Sequence, residues 1–295
     1  MQFLRRSIAP AVALETTLLV HGVPRDQSLA LAHRLDETVR SAGAHPALIG
    51  LIQGVATVGM TAQELQLLLD APEVPKANTA NLGALAHRKS HAATTVSTTM
   101  ELAGLAGIRV FATGGIGGVH KGYGEHLDIS ADLSALARYP VAVVASGCKS
   151  ILDVAATREA LETLGVPVIG YQTDTFPQFY CRQSDLHVDA RFDDAADMAR
   201  FVSHELARTG RGILVANPIP SADELEVRQL AKWTDKAFGE AGKAGASGRD
   251  VTPFVLGRLH ELSEGATLRA NIALVESNAR LAGQLAAAMH APRGS

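Results

Sequence analysis

The stretch VAVVASGCKSILD (141–153) runs from an unbroken apolar segment through small residues to one lysine, then into helical pattern. Positions 141–145 hold no polar residue, so a strand there is covered on both faces, as in a parallel sheet with helices above and below. Segments of the same kind recur at ALIGLIQG (47–54), IRVFATGG (108–115), PVIGYQT (167–173) and GILVANP (212–218). Amphipathic segments stand between them. SLALAHRLDETVRSAG (28–43) sets Leu29, Leu31 or Ala32, Leu35 and Val39 on one stripe. SILDVAATREALETLG (150–165) repeats the pattern as far as Gly165, a helix stop. After residue 220 the pattern is mostly helical, with DVTPFVLGRLHELSEG (250–265) and ATLRANIALVESNARLAGQLAAAM (266–289). Only EAGKAGASGRD (240–250) reads as a linker, and it is too short to separate domains. The expectation is one α/β domain over residues 1–295: a mostly parallel central sheet flanked by helices, with a C-terminal helical layer.

Composition narrows the function. Of 295 residues, 47% are apolar and 19% charged, enough for a sizeable core. A net charge of −3 without a basic run excludes a nucleic-acid backbone as the main partner. Cys148 and Cys181 lack metal-ligand spacing and read as reduced thiols of a cytoplasmic chain. Near the N-terminus two arginines precede an apolar stretch, but Glu15 and His21 interrupt it, and no run is long enough to span a membrane.

In an open parallel sheet, ligands bind beyond the carboxyl ends of the strands, and Lys149 falls there. Ser150 with Asp153 three residues on approximates a capping box for the next helix. A helix N-terminus and a dry strand end both disfavour an ammonium, and a neutral amine is what imine chemistry on a sugar aldehyde needs. The same residues also suit a lysine that reaches solvent or holds an anion as a plain charge. Cys148 beside it reads as a small buried residue.

Other polar clusters leave alternatives open. In FATGGIGGVHKGYGEHLDISADL (111–133) His120 stands where a dinucleotide fingerprint needs glycine, so the glycines imply only close backbone approach to a ligand. Asp128, Ser130 and Asp132 alternate, which in an extended segment aligns oxygens suited to Mg²⁺ or Mn²⁺; equally, Asp128 or Ser130 simply caps a helix. Thr94, Thr95, Ser97, Thr98 and Thr99 stack before a helix, as a phosphate site or as a plain cap. Glu15 lies among apolar neighbours, where burial suits a general acid, unless it pairs with an arginine. Asn271 and Asn278 share a helix face, a pattern usually solvated or capping.

The motifs ALETTLLVHG (13–22), TTVSTTM (94–100), FATGGIGGVHKG (111–122), DISADL (128–133), KSILD (149–153), GVPVIGYQTD (165–174), LVANPIP (214–220), TPF (252–254) and NIALVESNARLA (271–282) cover nearly the whole chain. Together they resemble the pseudouridine-5'-phosphate glycosidase family, also known from indigoidine clusters. The resemblance implies an α/β fold, a homotrimer and a manganese ion, with magnesium as the alternative. It also implies reversible cleavage of the C–C bond between ribose 5-phosphate C1' and uracil. On that resemblance Lys149 is the nucleophile forming an imine with the ring-opened sugar, Glu15 the proton donor, and Asp128 the metal ligand. Lys76 is the second lysine of the site, Thr94, Thr95 and Val96 meet the sugar phosphate, Ser130, Ala131 and Asp132 contact substrate, and Thr113, His120 and Asn271 lie near the base.

Two stretches depart from the family pattern. Lys76 is followed by ANTANLG where R-R-D-[LI]-P is usual, and IQG stands at 52–54 where D-G is usual. A synthase branch of the family attaches ribose 5-phosphate to an aromatic polyketide, as in alnumycin biosynthesis, and the rewritten 77–83 segment keeps that activity as an alternative. A third reading, a sugar-phosphate-binding protein without turnover, has no need of an imine-forming amine.

Overall fold

Alternation along residues 141–145 sets the architecture: Val143 and Ala145 enter one apolar cluster, Ala142 and Val144 the other. In the computed structural model, which describes residues 1–245 and 251–291, this segment is a fully buried central strand. Part of the stretch read as a linker (246–250), and the side chains of Thr252 and Pro253 in the TPF motif, lie outside the described residues.

In chain order the strands are β1 (Gln2–Arg5), β2 (Ala11–Glu15), β3 (His45–Ile52), β4 (Val55–Val58), β5 (Lys76–Ala77), β6 (Ala92–Thr94), β7 (Val110–Ala112), β8 (Val119–His120), β9 (Ala142–Ala145), β10 (Leu152–Asp153), β11 (Val168–Tyr171), β12 (Ala190–Phe192) and β13 (Ile213–Ala216). The main sheet runs β1-β4-β3-β2-β7-β9-β13-β11-β12, with β6 pairing β3 and β5 pairing β6. From β3 through β12 every neighbour on that path is parallel. Antiparallel pairs join β3 to β4 and to β6. β8 and β10 form a separate antiparallel ribbon. The mostly parallel sheet expected from the sequence is therefore present, in one domain.

Helices cover both faces. Arg25–Ser41, Ala195–Thr209 and Ala266–His290 pack together against one, burying residues such as Leu31, Val202 and Leu285. Val96–Leu105, Ala131–Arg138 and Val154–Thr163 supply Met100, Leu136 and Leu161 to the other. Each fully buried leucine favours the fold by roughly 1.5–3 kcal/mol. Gly283 lets the C-terminal helix approach closely, since a Cβ there would lie 2.6 Å from the Ala42 Cβ. Among the described residues no helix is long and apolar enough to cross a membrane.

Three expectations need correction. Leu29 is exposed, because the helix begins at Arg25 and turns Leu31, Leu35 and Val39 inward. The helix expected from residue 150 begins at Val154 instead: Leu152 and Asp153 are held as β10 against β8, and Asp153 caps by accepting from the Ala156 N–H at 2.9 Å. Ser150 is thus not the cap, and its buried hydroxyl has no hydrogen-bond partner. The departure at 52–54 forms a tight turn. Gln53 and Gly54 adopt φ of +48° and +79° between β3 and β4, the conformation in which Asp-Gly or Asn-Gly is favoured.

Candidate active site

Three adjacent parallel strands, β2, β7 and β9, end at one place, with Leu14, Ala112 and Val144 in neighbouring registers. Glu15 closes β2, Thr113 follows β7 directly, and Lys149 stands beyond β9. A turn delivers the lysine. Gly147 has φ +75°, and a Cβ there would fall 1.9 Å from the Pro177 carbonyl oxygen, so only glycine fits. The Lys149 N–H then donates to the Ile116 carbonyl at 3.1 Å and its own carbonyl accepts from Leu152 at 3.0 Å. The intervening β10 separates Lys149 from the helix start at Val154, so the sequence argument from a helix terminus does not apply; the strand-end placement stands.

Glu15, Thr17, Lys76 and Lys149 border two connected spaces, an outer cavity of about 450 Å³ and an inner chamber of about 60 Å³. Burial pushes the Glu15 carboxyl above the usual carboxylate range, against the pull of the Lys149 charge and of a short hydrogen bond from the Thr113 hydroxyl. A carboxyl whose pKa burial raises, set beside an amine, is suited to donate a proton. Burial pushes the neighbouring Cys148 thiol up to about 12, which rules it out as a thiolate nucleophile at neutral pH.

The outer cavity gathers Lys76, Thr95, Val96, Ser97, His120, Asp128, Ser130, Ala131 and Asp132, all singled out in the sequence, and adds Thr17 and Asn78. Thr95 and Ser97 hydroxyls lie 3.0 Å apart at the start of the helix Val96–Leu105, and Thr95 does not cap it with its side chain. Ser97, Thr98 and Thr99 belong to that helix and do not precede it. Thr94, expected beside the sugar phosphate, borders neither space: it is fully buried and spends its hydroxyl on the Ile49 carbonyl at 2.7 Å while its N–H donates to Thr16. It braces β6 against β3.

Asp132 is 5% exposed and has both carboxylate oxygens occupied, Oδ1 by the Ser97 N–H at 2.9 Å and Oδ2 by the Gly117 N–H at 2.8 Å. It therefore locks the glycine loop to the helix start. Asp132→Asn is expected to turn an amide NH₂ toward one of these N–H donors, lowering stability by about 1–3 kcal/mol in denaturant titration and raising KM more than it lowers kcat. Ser130 caps Ala131–Arg138 by accepting from the Asp132 N–H at 3.2 Å, which settles the choice between Asp128 and Ser130. Asp128 stays half-exposed, with the His120 Nδ1 3.7 Å away. Among the described residues no group of three or more His, Cys, Asp or Glu could enclose a metal. One open carboxylate suits Mg²⁺ or Mn²⁺ that keeps most of its water shell, and not a protein-caged ion.

The amide pair on the C-terminal helix is neither solvated nor capping. Asn271 borders the inner chamber and its buried Oδ1 has no partner. Asn278 is fully buried; its Nδ2 donates to the Thr113 carbonyl at 2.8 Å and its Oδ1 accepts from Asn217 at 2.9 Å. Asn278 and Asn217 thereby hold the backbone of Thr113, a role the sequence reading missed, although two amides on an otherwise apolar helix face signalled it.

A family model described as indigoidine synthase A like protein matches residues 3–288. The chain belongs to the indigoidine synthase A-like family. Relatives in this family include the pseudouridine-5'-phosphate glycosidase of Dinoroseobacter shibae, 48% identical over 96% of this chain and 93% of the relative. Another, of the same description from a Nocardioides species, is 46% identical over 95% and 92%. Among solved structures, an indigoidine synthase A-like protein of Thermotoga maritima superposes with a TM-score of 0.90 at 36% identity, covering 97% of this chain and 96% of that one. The prealnumycin C-glycosynthase AlnA, solved in complex with ribulose 5-phosphate, superposes with a TM-score of 0.87 at 35% identity over 95% and 91%.

Proposed function

We propose that this enzyme is a pseudouridine-5'-phosphate glycosidase, with ribose 5-phosphate bound in the outer cavity and the aglycone in the inner chamber. The observation that carries the reading is the joint placement of Lys149 and a carboxyl raised by burial, Glu15, where both spaces meet. Relatives that share nearly the whole chain and carry that description support it.

A C-glycoside lacks the stabilised leaving anion of an N-glycoside, so an electron sink is needed at C1'. Glu15 gives its proton to the ring oxygen as the C1'–O bond opens, and the Lys149 amine bonds C1'. The nitrogen returns a proton to Glu15, which passes it to the aglycone carbon. The C–C electron pair then stays with the aglycone ring while the nitrogen lone pair forms C1'=N. Water hydrolyses this imine, releasing ribose 5-phosphate and the free amine. Thr95, Ser97 and Ser130, with Lys76, are suited to hold the phosphate. Asp128 would hold a hydrated Mn²⁺ or Mg²⁺, which supplies fixed positive charge near the phosphorylated sugar.

Uracil release from pseudouridine 5'-phosphate, followed by absorbance or chromatography, is expected at roughly 1 per second or faster. A second reading has a specific basis: Asn78 and Ala80, within the rewritten segment, border the outer cavity, and AlnA is a C-glycosynthase of the same fold. A protein that forms a ribose 5-phosphate adduct yet releases no uracil would overturn the glycosidase in favour of a synthase with another aromatic acceptor.

A further inference from the structure

The helix Ala266–His290 packs against β2, β7 and β9 through an apolar face that includes Leu274, Ala279 and Ala282, yet Asn278 on that helix is fully buried as well. Its Nδ2 donates to the Thr113 carbonyl at 2.8 Å and to the Ser146 hydroxyl at 3.2 Å, and its Oδ1 accepts from the Asn217 Nδ2 at 2.9 Å. Thr113, Ser146 and Asn217 are the first residues after β7, β9 and β13. One side chain thus joins the ends of three neighbouring parallel strands. The amide fits only one way round, because the Thr113 carbonyl oxygen accepts and never donates.

The ladder between β7 and β9 explains why an amide is needed there. The Thr113 N–H donates to the Val144 carbonyl at 3.1 Å, and in an unbroken parallel ladder the Thr113 carbonyl would then accept from Ser146. Instead the Ser146 N–H donates to the Gly114 carbonyl at 2.9 Å, as the chain turns toward Lys149. The displaced Thr113 carbonyl is taken by Asn278, while the Ser146 hydroxyl accepts from Asn278 and donates to the Asn217 carbonyl at 2.9 Å. Buried polar groups are paired in folded proteins, and this pairing fixes the Thr113 backbone. The Thr113 hydroxyl donates to Glu15, which ends β2, the strand on the other side of β7.

We infer that Asn278 is a positioning residue for proton transfer: by tying the ends of β7, β9 and β13 together it keeps the Thr113 hydroxyl on the Glu15 carboxyl. The clamp itself is a matter of geometry, whereas the use made of the proton rests on the glycosidase reading. Around Glu15, burial raises the pKa most, the Lys149 charge, the Thr113 hydroxyl and the Lys76 charge lower it, and Asp132 raises it. His21, His120, Asp128 and His260 border the same two spaces. Asn278 carries no charge and bonds to the backbone of Thr113, so it acts on Glu15 through that residue. Its removal frees Thr113 to withdraw a donor from the carboxylate, which raises the Glu15 pKa further in the same direction as loss of the hydroxyl itself.

The test uses the full chain with Asn278→Ala, Asn217→Ala, Thr113→Val and the double variant Asn278→Ala with Thr113→Val. Leu285→Ala, a buried apolar truncation two turns along the same helix, reports what lost packing alone does. Two readouts are followed against pH. One is kcat for uracil release from pseudouridine 5'-phosphate. The other is the infrared band of the protonated Glu15 carboxyl, identified by its loss in Glu15→Gln, which needs no substrate. Asn278→Ala is expected to lower kcat about tenfold with little change in KM. It should also move the alkaline limb and the carboxyl titration up by about half a pH unit or more. Asn217→Ala keeps the Asn278 bond to Thr113 but removes its anchor, and is expected to shift both the same way by less. In the double variant the shift should equal that of Thr113→Val alone, the mark of two residues acting through one contact. Should Asn278→Ala fail to fold, Asn217→Ala, alone and with Thr113→Val, carries the same comparison. The inference is overturned by a titration unmoved in both asparagine variants, by shifts that add in the double variant, or by an equal shift in Leu285→Ala. A parent that releases no uracil, with the carboxyl band shifting as described, overturns the glycosidase reading and leaves the clamp standing.

Discussion

Replacing Lys149 by alanine is expected to lower uracil release by about four orders of magnitude or more, because the nitrogen that forms the imine is removed. The protein should remain folded: Lys149 holds its turn through its main-chain N–H and carbonyl, which alanine keeps. Lys149→Arg separates nucleophile from charge. A guanidinium keeps the positive charge that opposes the rise of the Glu15 pKa, but it does not deprotonate and forms no imine. Arginine is therefore expected to be as inactive as alanine in steady-state assays. Activity within tenfold of the parent in the arginine variant would mean that Lys149 acts only as a charge.

Glu15→Gln should cut kcat by roughly 10²- to 10⁴-fold, the usual worth of a positioned proton donor. Its pH dependence follows from the direction of the shift. Burial raises the carboxyl pKa, so the protonated, donating form prevails below the raised value and is lost as pH climbs through it. The parent is expected to show a limb of falling kcat on the alkaline side of the ordinary carboxylate range, and Glu15→Gln to lack that limb over the same window. Thr113→Val removes the hydroxyl that donates to the carboxylate, so it should move the limb to higher pH. A limb unchanged in Glu15→Gln would assign the ionisation to another group.

Legibility from sequence followed the range of the interactions. The strand at 141–145 was readable because every position is apolar, and the sheet put alternate residues into the two cores. β2, central in the sheet, escaped notice because Ala11–Glu15 runs almost directly into the apolar helix Thr17–His21, which blurs period two into period 3.6. Lys149 was found by its place at a strand end, while the helix start expected beside it was displaced by the β8–β10 ribbon, a pairing between residues 32 or more positions apart. Asp132 was visible as a polar residue in a marked motif. Its task was not, since its partners Ser97 and Gly117 lie 35 and 15 residues away. The family resemblance named most of the cavity's residues; the residues alone had left cap and metal ligand, or cap and phosphate site, undecided.

Everything at this site turns on a covalent bond between one nitrogen and a sugar carbon. Incubating the protein with ribose 5-phosphate and borohydride, followed by peptide mass mapping, measures that bond directly. The expected result is the reduced sugar phosphate on the peptide containing Lys149, absent from Lys149→Ala. Sugar mass confined to Lys76 or to surface lysines, with the Lys149 peptide unmodified, would contradict it.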